Sequence, residues 1–353
     1  MKVLYVYSGE RVNKFRGNYG KDFPDTQFYG MNHLGKYGVD ARYEEFESYR
    51  FGKVIAKLIG FRFKHLSMFF VALKYDLVFG ISVMYMLLWK KFIPCKTKFV
   101  IFNSALNRML NVHEAGTIKF RILRWLLASV DGIVFLSNDH LERVINKIPF
   151  LSDRSFFVAM GVDKMYFKPK YDNRKRFFLS VGRDNARDYN TIVSVAKKLP
   201  NEEFHIVCLP RNIKGIDGIP NNIKIHINIP KNELEELYMN ARALLLILHN
   251  DSFIEGSDSS GPTVLLEAMA TGLPVVASHK SYMDDYLEDK KDAMIVDFYD
   301  VDAIIKCISE LEDDAFRINL AKNARYKIDI IFNTDKMAGE LSKVFKKIYE
   351  QRK

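Results

Sequence analysis

Short apolar runs alternate with amphipathic stretches along this chain, and this alternation most restricts how it can fold. In the first half the apolar runs predict strands, with helical periodicity between them. The predicted elements there are the strands Val3–Tyr7, Leu77–Phe79, Lys98–Phe102 and Gly132–Leu136 and helices near Gln27–Tyr37 and Ile118–Leu127. The pattern predicts an α/β fold, in which helices cover both faces of a parallel sheet.

A second series of the same kind begins after a charged segment near Gly161–Arg176. Its predicted strands are Phe177–Val181, Glu203–Cys208, Ile223–Ile225, Ala243–Leu248, Pro274–Ala277 and Ala293–Val296. Because 353 residues also exceed what one hydrophobic core usually holds, we predict two Rossmann-like domains, residues 1–168 and 169–334. An amphipathic C-terminal helix, residues 335–353, follows them and should pack on another element.

Charge is distributed unevenly along the chain, whose formal net charge is +10. Residues 1–170 contain 27 Lys and Arg against 14 Asp and Glu, whereas the remainder is slightly acidic. A basic half can attract nucleic acid, an anionic membrane or a phosphorylated substrate. The chain has no C-x-x-C finger and no RNA-binding aromatic signature, so we do not expect nucleic acid as a partner.

Three further features predict a cytoplasmic protein. The first residues form a predicted strand rather than a signal peptide, and the three cysteines are too scattered for a disulfide framework. The longest uncharged apolar run, Leu77–Trp89, is shorter than a membrane-spanning helix.

The polar segment after the strand Ala243–Leu248 predicts an anion site. It leads into a helix that begins at about Pro262, and Ser260 or Gly261 suits the cap. The positive end of such a helix, placed after a strand, favours a diphosphate. Glu267, one turn into the helix, can accept hydrogen bonds from a ribose diol. A well-capped structural helix is the alternative interpretation.

Two arginines lie in the loop after the strand Phe177–Val181. Arg183 and Arg187 can clamp a leaving diphosphate and stabilise the charge that grows as a glycosidic bond breaks. The alternative is a pair of surface arginines in ion pairs with Asp184 and Asp188.

These residues resemble the motifs of the GT-B glycosyltransferases, in particular the retaining enzymes of family 4. The matching segments are Gly182-Arg183 with Arg187, the run from Glu267 to Val276, Gly161-Val162-Asp163, and Asp131 to Ser137. The resemblance implies a GT-B fold, with two Rossmann-like domains facing across a cleft and the C-terminal helix packing back on the N-terminal domain.

The resemblance also implies a reaction. A sugar would pass from a UDP- or GDP-linked donor to a cell-envelope glycan or lipid-linked acceptor, with retention and without a metal. Arg183, Arg187 and Glu267 would act on the donor diphosphate and ribose. The implied donor-binding residues are Asn228, Asp258, Ser259, Ser260, Gly261, Pro262, Thr263 and Val264.

The sequence departs from the family pattern at Ser259, where the pattern places a glutamate near the donor sugar. Asp258 is adjacent and Glu255 lies four positions earlier, so a carboxylate can reach the sugar by a different loop path. The departure leaves two alternatives to an active transferase: a non-catalytic nucleotide-sugar-binding partner, or a nucleotide-sugar epimerase on a related fold.

The acceptor side is predicted in the first domain. The loop Ser8–Asp25 contains Arg11, Arg16 and Gly17, whose charge and flexibility suit an anionic acceptor, although a mobile solvated loop is equally consistent. Asn103 follows the strand Lys98–Phe102, where many relatives have a histidine.

Basic and apolar residues also alternate from Arg50 to Phe70. The pattern resembles an amphipathic helix on an anionic membrane, which would make the protein peripheral on the inner face of that membrane; an ordinary core or cleft helix is the alternative. The eight histidines show no metal-binding spacing, so we expect no metal or other cofactor. Neither a G-x-G-x-x-G nor a Walker A motif occurs.

Overall fold

The computed structural model describes residues 1–9, 23–45, 64–113, 116–171, 177–253, 255–258 and 260–351. The chain divides into two compact units. The first unit consists of Met1–Gly161 together with Thr334–Lys353, and the second of Val162–Asn333. The chain therefore leaves the first unit after Gly161 and returns to it at Thr334.

The first unit is built on a parallel sheet, as the apolar runs predict. Its described strands are β1 (Lys2–Tyr7), β2 (Asp40–Glu45), β3 (Leu77–Gly80), β4 (Lys98–Phe102), β5 (Gly132–Phe135) and β6 (Ser155–Phe157). They lie in the order β2-β1-β3-β4-β5-β6. The edge strands β2 and β6 were not predicted, and no residue of either strand is buried.

Helices cover this sheet, and the last helix of the chain belongs to it. The described α-helices of the first unit are α1 (Lys64–Ala72), α2 (Leu87–Phe92), α3 (Leu106–Val112), α4 (Ile118–Leu127), α5 (Asn138–Lys147) and, from the C-terminus, α12 (Thr334–Glu350). Phe345 of α12 packs edge-on against Tyr5 of β1 and Phe79 of β3, with ring centroids 6.4 and 5.1 Å apart. The prediction that the C-terminal helix packs on the N-terminal domain is confirmed.

The helical stretch predicted near Gln27–Tyr37 is not an α-helix. Two 3-10 helices, Asp25–Phe28 and Met31–Tyr37, occupy this stretch. Gly30 separates them with a φ of +74°, and a Cβ there would lie 2.9 Å from the backbone nitrogen of Ala338 in α12. The chain turns at Gly30 because it passes directly against the last helix, which a continuous α-helix could not do.

The second unit has the strand order of the dinucleotide-binding fold. Its described strands are β7 (Phe177–Val181), β8 (Glu203–Cys208), β9 (Ile223–Ile227), β10 (Ala243–Leu246), β11 (Val275–Ser278) and β12 (Met294–Val296). They are parallel and lie in the order β12-β11-β10-β7-β8-β9. The order reverses between β7 and β10, which makes their carboxyl ends the expected place for a ligand.

Apolar side chains from both faces of this second sheet form the core against its helices. The described helices are α6 (Tyr189–Lys198), α7 (Pro210–Ile213), α8 (Lys231–Asn240), α9 (Pro262–Ala270), α10 (Val301–Glu310) and α11 (Asp314–Ile330). Arg325 of α11 donates to the carbonyl oxygens of Ala270, at the end of α9, and of Phe167. This arginine therefore fixes α9, the helix that bears Glu267, to the segment that enters the unit.

Candidate active site in the second unit

The loops that follow β7 and β10 meet at the point where the strand order reverses. Asp184 joins them: its carboxylate accepts hydrogen bonds from the Ser257 hydroxyl at 2.7 Å and from the Ser257 backbone N–H. Gly256 lies so close that a Cβ there would be 2.4 Å from the Cβ of Ala186. The loop ahead of α9 is therefore held against the arginine loop.

Gly182 leaves the space that the side chain of Arg187 occupies. A Cβ at position 182 would lie 2.0 Å from Nε of Arg187, which no side chain could tolerate without displacing the arginine. The Arg187 side chain is buried, and its Nε donates to the carbonyl oxygen of Val181 at 2.9 Å. The guanidinium is thus fixed above the end of β7, which explains why glycine precedes this loop.

The acidic residues of the loop are engaged elsewhere. Asp188 caps α6, accepting from the backbone N–H of Thr191 at 3.1 Å, and Asp184 binds Ser257. No carboxylate in the described ranges forms an ion pair with Arg187, so the alternative of surface arginines in ion pairs fails for this residue. A buried guanidinium without a counter-charge is costly unless an anion binds it.

Arg187 is directed at the beginning of α9. Gly261 caps the helix with a φ of +120°, and Pro262 is its first residue, both as predicted. A Cβ on Gly261 would lie 3.3 Å from Nη1 of Arg187. Nη1 of Arg187 and Oγ of Ser260 are both buried, and neither has a hydrogen-bond partner within the described part of the chain. Two unsatisfied polar atoms therefore converge on the positive end of a helix.

Three tyrosines surround Arg187. Tyr189 donates to the carbonyl oxygen of Gly182 at 2.7 Å, Tyr282 donates to the carbonyl oxygen of Ser260, and Tyr238 lies on α8. Burial raises the pKa of all three phenols, and the nearby Arg187 charge opposes part of that rise. The phenols remain neutral and rigid, so the positive charge at this site comes from Arg187 and the helix.

Glu267 lies one turn into α9, where the sequence predicts it. Its Oε2 accepts a hydrogen bond from the Tyr238 hydroxyl at 3.2 Å. Burial raises the pKa of Glu267 to about 7, while the Tyr238 hydrogen bond and the charge of Lys231 lower it in part. A carboxyl group with that pKa exists in both protonation states near neutrality, and donors such as a diol favour its ionised form.

The neighbours of Glu267 were missed by sequence reasoning. Lys231, the first residue of α8, lies 3.2 Å from the carboxylate of Glu235 and 4.1 Å from the ring centre of Tyr166. Burial lowers the pKa of Lys231. The spacing of Lys231 and Glu235 indicates an ordinary helical ion pair, and only the fold shows that α8 lies beside α9. No sequence signal could have placed Tyr238 or Tyr166 there.

The remaining predicted donor residues occupy varied positions. Arg183 is exposed, and its carbonyl oxygen accepts from Arg211 at 2.9 Å. Asn228 is exposed just after β9, with a left-handed φ of 53°. Thr263, Val264 and Asp258 are half-buried, and Ser259 lies outside the described residues.

On the acceptor side, Arg11, Arg16 and Gly17 also lie outside the described residues. Asn103 is buried, and its Oδ1 accepts from the backbone N–H of Leu106, the first residue of α3, at 2.9 Å. That oxygen is therefore used within the first unit. Of the predicted membrane segment Arg50–Phe70, residues 50–63 are outside the description, and His65 is buried against the ring of Tyr85.

Among the described residues, aromatic rings line the carboxyl ends of the first sheet. A cavity of about 10 Å³ lies at the reversal between β1 and β3, with room for roughly one water molecule. Its lining includes Tyr7, Tyr29 and Phe102. The Tyr7 hydroxyl donates to the carbonyl oxygen of Phe28 at 2.9 Å, so both of these groups are satisfied within the first unit.

Two features are absent from the described residues. None of their helices is long and apolar enough to span a membrane. The same residues contain no cluster of three or more His, Cys, Asp or Glu side chains placed to hold a metal ion.

Comparison with known proteins shows the fold and finds a family model that matches most of the second unit. Residues 162–327 match the family model described as "Glycosyl transferases group 1". HepE from Anabaena, solved with UDP-glucose, superposes with a TM-score of 0.71 at 13% identity, covering 98% of this chain and 100% of that one. Sucrose-phosphate synthase from Thermosynechococcus elongatus superposes with a TM-score of 0.69 at 15% identity, covering 99% of each chain. The predicted GT-B fold is confirmed.

One curated relative is similar in sequence over a shorter stretch. It is the UDP-Gal:alpha-D-GlcNAc-diphosphoundecaprenol alpha-1,3-galactosyltransferase of Escherichia coli, 26% identical over 120 residues. The matched stretch spans 31% of this chain and 31% of that enzyme.

Proposed function

We propose that the protein is a glycosyltransferase that uses a nucleoside diphosphate sugar, because residues 162–327 match the glycosyl transferases group 1 model. The observation that supports this most directly is the convergence of Arg187 Nη1 and Ser260 Oγ on the beginning of α9. A diphosphate satisfies all three groups at once, since its oxygens accept from the guanidinium, the hydroxyl and the helix amides.

Arg187 has the central role in this proposal. As the bond between the sugar and the diphosphate breaks, negative charge grows on the leaving phosphate oxygen. A guanidinium already fixed by Val181 and Gly182 stabilises that charge without reorganising. Arg183, exposed on the same loop, adds a second positive charge from the solvent side. With this charge supplied by arginine and helix, we propose that transfer requires no metal.

Glu267 binds the ribose in this scheme. Its carboxylate accepts hydrogen bonds from the vicinal hydroxyls of a nucleotide whose diphosphate lies at the beginning of α9. Binding favours the ionised form, so the donor lowers the raised pKa of Glu267 and displaces a proton near neutral pH. The base lies towards Asn228, and the sugar towards Asp258.

We further propose a UDP-linked donor and a lipid-linked or glycan acceptor of the cell envelope, with retention of anomeric configuration. HepE was solved with UDP-glucose, and the Escherichia coli relative uses UDP-Gal and a diphosphoundecaprenol acceptor. The excess of basic residues in residues 1–170 suits an anionic acceptor. A lipid-linked acceptor also suits our proposal that the protein works at the cytoplasmic face of a membrane.

A thermal-shift panel of UDP- and GDP-sugars tests the donor. The correct donor raises the melting temperature by mass action, and UDP alone should stabilise the protein while GDP does not. The same donors are then incubated with acceptor to measure UDP release. Stabilisation by UDP-sugars without UDP release from any donor and acceptor would instead support a non-catalytic binding partner, and product formation without acceptor would support an epimerase.

A further inference from the structure

The first unit presents a surface of exposed apolar and basic side chains on two adjacent helices, α2 and α4. Its apolar members are Phe92 of α2 and Ile118, Ile122 and Trp125 of α4, exposed by 68, 74, 52 and 44%. The ring centroids of Phe92 and Trp125 lie 6.3 Å apart. We call this surface the α2–α4 face.

The exposed apolar residues of α4 form one continuous stripe along the helix. Ile118, Ile122 and Trp125 recur at intervals of four and three residues, so they lie along one side of the helix. Phe120, Leu123 and Leu127 point the opposite way and are buried in the core of the first unit. The helix is therefore apolar on two sides, and only one of them is needed for folding.

Basic side chains accompany the exposed apolar ones. Lys119, Arg121 and Arg124 are exposed on α4, and Nζ of Lys91 lies 5.1 Å from the ring centre of Trp125. Neither residues 87–98 nor residues 116–130 contain an acidic side chain. An apolar surface with Trp and Phe, surrounded by Lys and Arg, matches the interface of an anionic lipid bilayer.

A basic cavity adjoins this face. It has a volume of about 510 Å³ and lies beside the beginnings of β4 and β5, at the opposite edge of the sheet from its carboxyl ends. Lys90, Lys91, Lys98 and Arg154 line it, together with one acid, Asp131, which pairs with Lys90 and Lys98. Lys91 belongs to both the cavity and the face, so a lipid phosphate in the cavity would lie beside the inserted Trp125.

We propose that the α2–α4 face docks on an anionic lipid bilayer, with Phe92, Ile118, Ile122 and Trp125 in the interfacial region and a lipid phosphate in the adjoining basic cavity. This rests on the proposed function and deepens it, because the face would hold a transferase that acts on lipid-linked acceptors at the bilayer that contains them. A second copy of the chain fits the face poorly, because two such basic faces repel each other.

Co-sedimentation of the full chain with vesicles tests the docking. We expect binding to vesicles of equal parts phosphatidylglycerol and phosphatidylcholine, weak binding to pure phosphatidylcholine, and loss of binding as salt rises from about 0.1 M to about 1 M. The double variant Phe92→Ser/Trp125→Ser should bind on the order of ten-fold more weakly. Removing Lys119, Arg121 and Arg124 together should weaken binding by at least about ten-fold.

Two controls keep the result specific. Met165→Ser and Tyr326→Ser remove apolar side chains that are exposed by 69 and 63% in the second unit, and should leave vesicle binding unchanged. In a Trp89→Phe background Trp125 is the sole tryptophan, and its emission should shift to shorter wavelength only with anionic vesicles.

The proposal is overturned if the face variants bind vesicles as the unmodified chain does, if neutral vesicles bind equally well, or if the chain dimerises through this face or binds nucleic acid there instead. Stabilisation by UDP- and GDP-sugars is measured on the same samples. Vesicle binding that persists without stabilisation by any of these donors would refute the proposed transferase and leave the docking intact, and the reverse result would refute only the docking.

Discussion

The carboxyl ends of the two sheets differ in what they leave unsatisfied. Both units place loops at a reversal of strand order, after β1 and β3 in the first and after β7 and β10 in the second. In the first, the hydroxyls of Tyr5 and Tyr7 donate to the carbonyl oxygens of Tyr29 and Phe28. The cavity there has room for about one water molecule. In the second, Arg187 and Ser260 keep buried polar atoms without partners. Among the described residues, the second sheet therefore has buried donors available to an anion, where the first has tyrosine hydroxyls already bonded to carbonyl oxygens.

Replacing Arg187 gives the sharpest test of that difference. Arg187→Ala should reduce UDP release by about 10² to 10³-fold, the usual effect of losing one charge-stabilising donor. The melting temperature of the unliganded protein should stay the same or rise, since a buried unpaired charge is removed. Arg187→Lys should recover only part of the activity, because an ammonium cannot reach both Val181 and the phosphate. A large loss of unliganded stability in Arg187→Ala would show a structural arginine instead.

Gly182→Ala tests whether space for Arg187 is the reason for the glycine. The added Cβ would lie 2.0 Å from Nε of Arg187, so the guanidinium must move and UDP-sugar affinity should fall by about 10²-fold. The matched variant is Gly35→Ala in the first unit, where no described atom lies within 4 Å of the added Cβ. Isothermal titration with UDP compares the two. Equal affinities would contradict the role given to Gly182.

Glu267 should make donor binding by the second unit depend on pH. Because the pKa of its carboxyl group is raised to about 7 and binding favours the ionised form, UDP affinity should increase about 10-fold from pH 6 to pH 8. Glu267→Gln should bind more weakly and lose this dependence. An unmodified chain whose UDP affinity is flat across this range would refute the proposed ribose contact.

For the unliganded protein, the same raised pKa predicts the opposite trend: the free energy of unfolding should fall as pH rises. A carboxyl group that holds its proton in the folded state stabilises that state below the unfolded pKa, and this contribution disappears as pH rises through the folded value. Between pH 5 and pH 8 the unmodified chain should therefore lose about 2 kcal/mol of unfolding free energy relative to Glu267→Gln. Urea denaturation at both pH values measures the difference, and parallel curves would contradict it.

Tyr238→Phe should have the smallest effect. The variant removes the hydrogen bond at 3.2 Å that favours the ionised form of Glu267, so the pKa of Glu267 rises further. UDP affinity at pH 7 should fall about 2- to 5-fold and recover at higher pH. A loss that does not recover at higher pH would indicate that Tyr238 contacts the nucleotide itself.

The sequence predicts those elements whose local pattern and burial agree. Strand β7 and helices α4 and α9 occur at the predicted residues, because every residue of β7 is buried, Thr117 caps α4, and Gly261 and Pro262 mark the beginning of α9. Strand β2 was missed since its DARYEE sequence lies at a sheet edge with mostly exposed or half-buried side chains. The stretch at Gly30 was mistaken for a helix because its constraint comes from α12, some three hundred residues later.

The candidate site shows the same limit. Local motifs suggest Arg187, Gly261 and Glu267 as candidate site residues. The glycine after β7 and the proline at the beginning of α9 can both be recognised in the sequence. The motifs do not show that Asp184 binds Ser257, or that Tyr238 reaches Glu267 from another helix. Those contacts depend on which helices become neighbours around the sheet, and the sequence around each residue contains no information about that.

The discontinuous first unit has a consequence for synthesis. A ribosome delivers residues 1–161 long before α12, yet Phe345 packs between Tyr5 and Phe79, and Ile348 lies where a side chain on Gly132 of β5 would be. The nascent first unit therefore emerges with an unfilled groove on its sheet. The second unit, continuous from Val162 to Asn333, can fold as it appears. The part of the chain made first is thus completed only after the second unit and α12 have been synthesised.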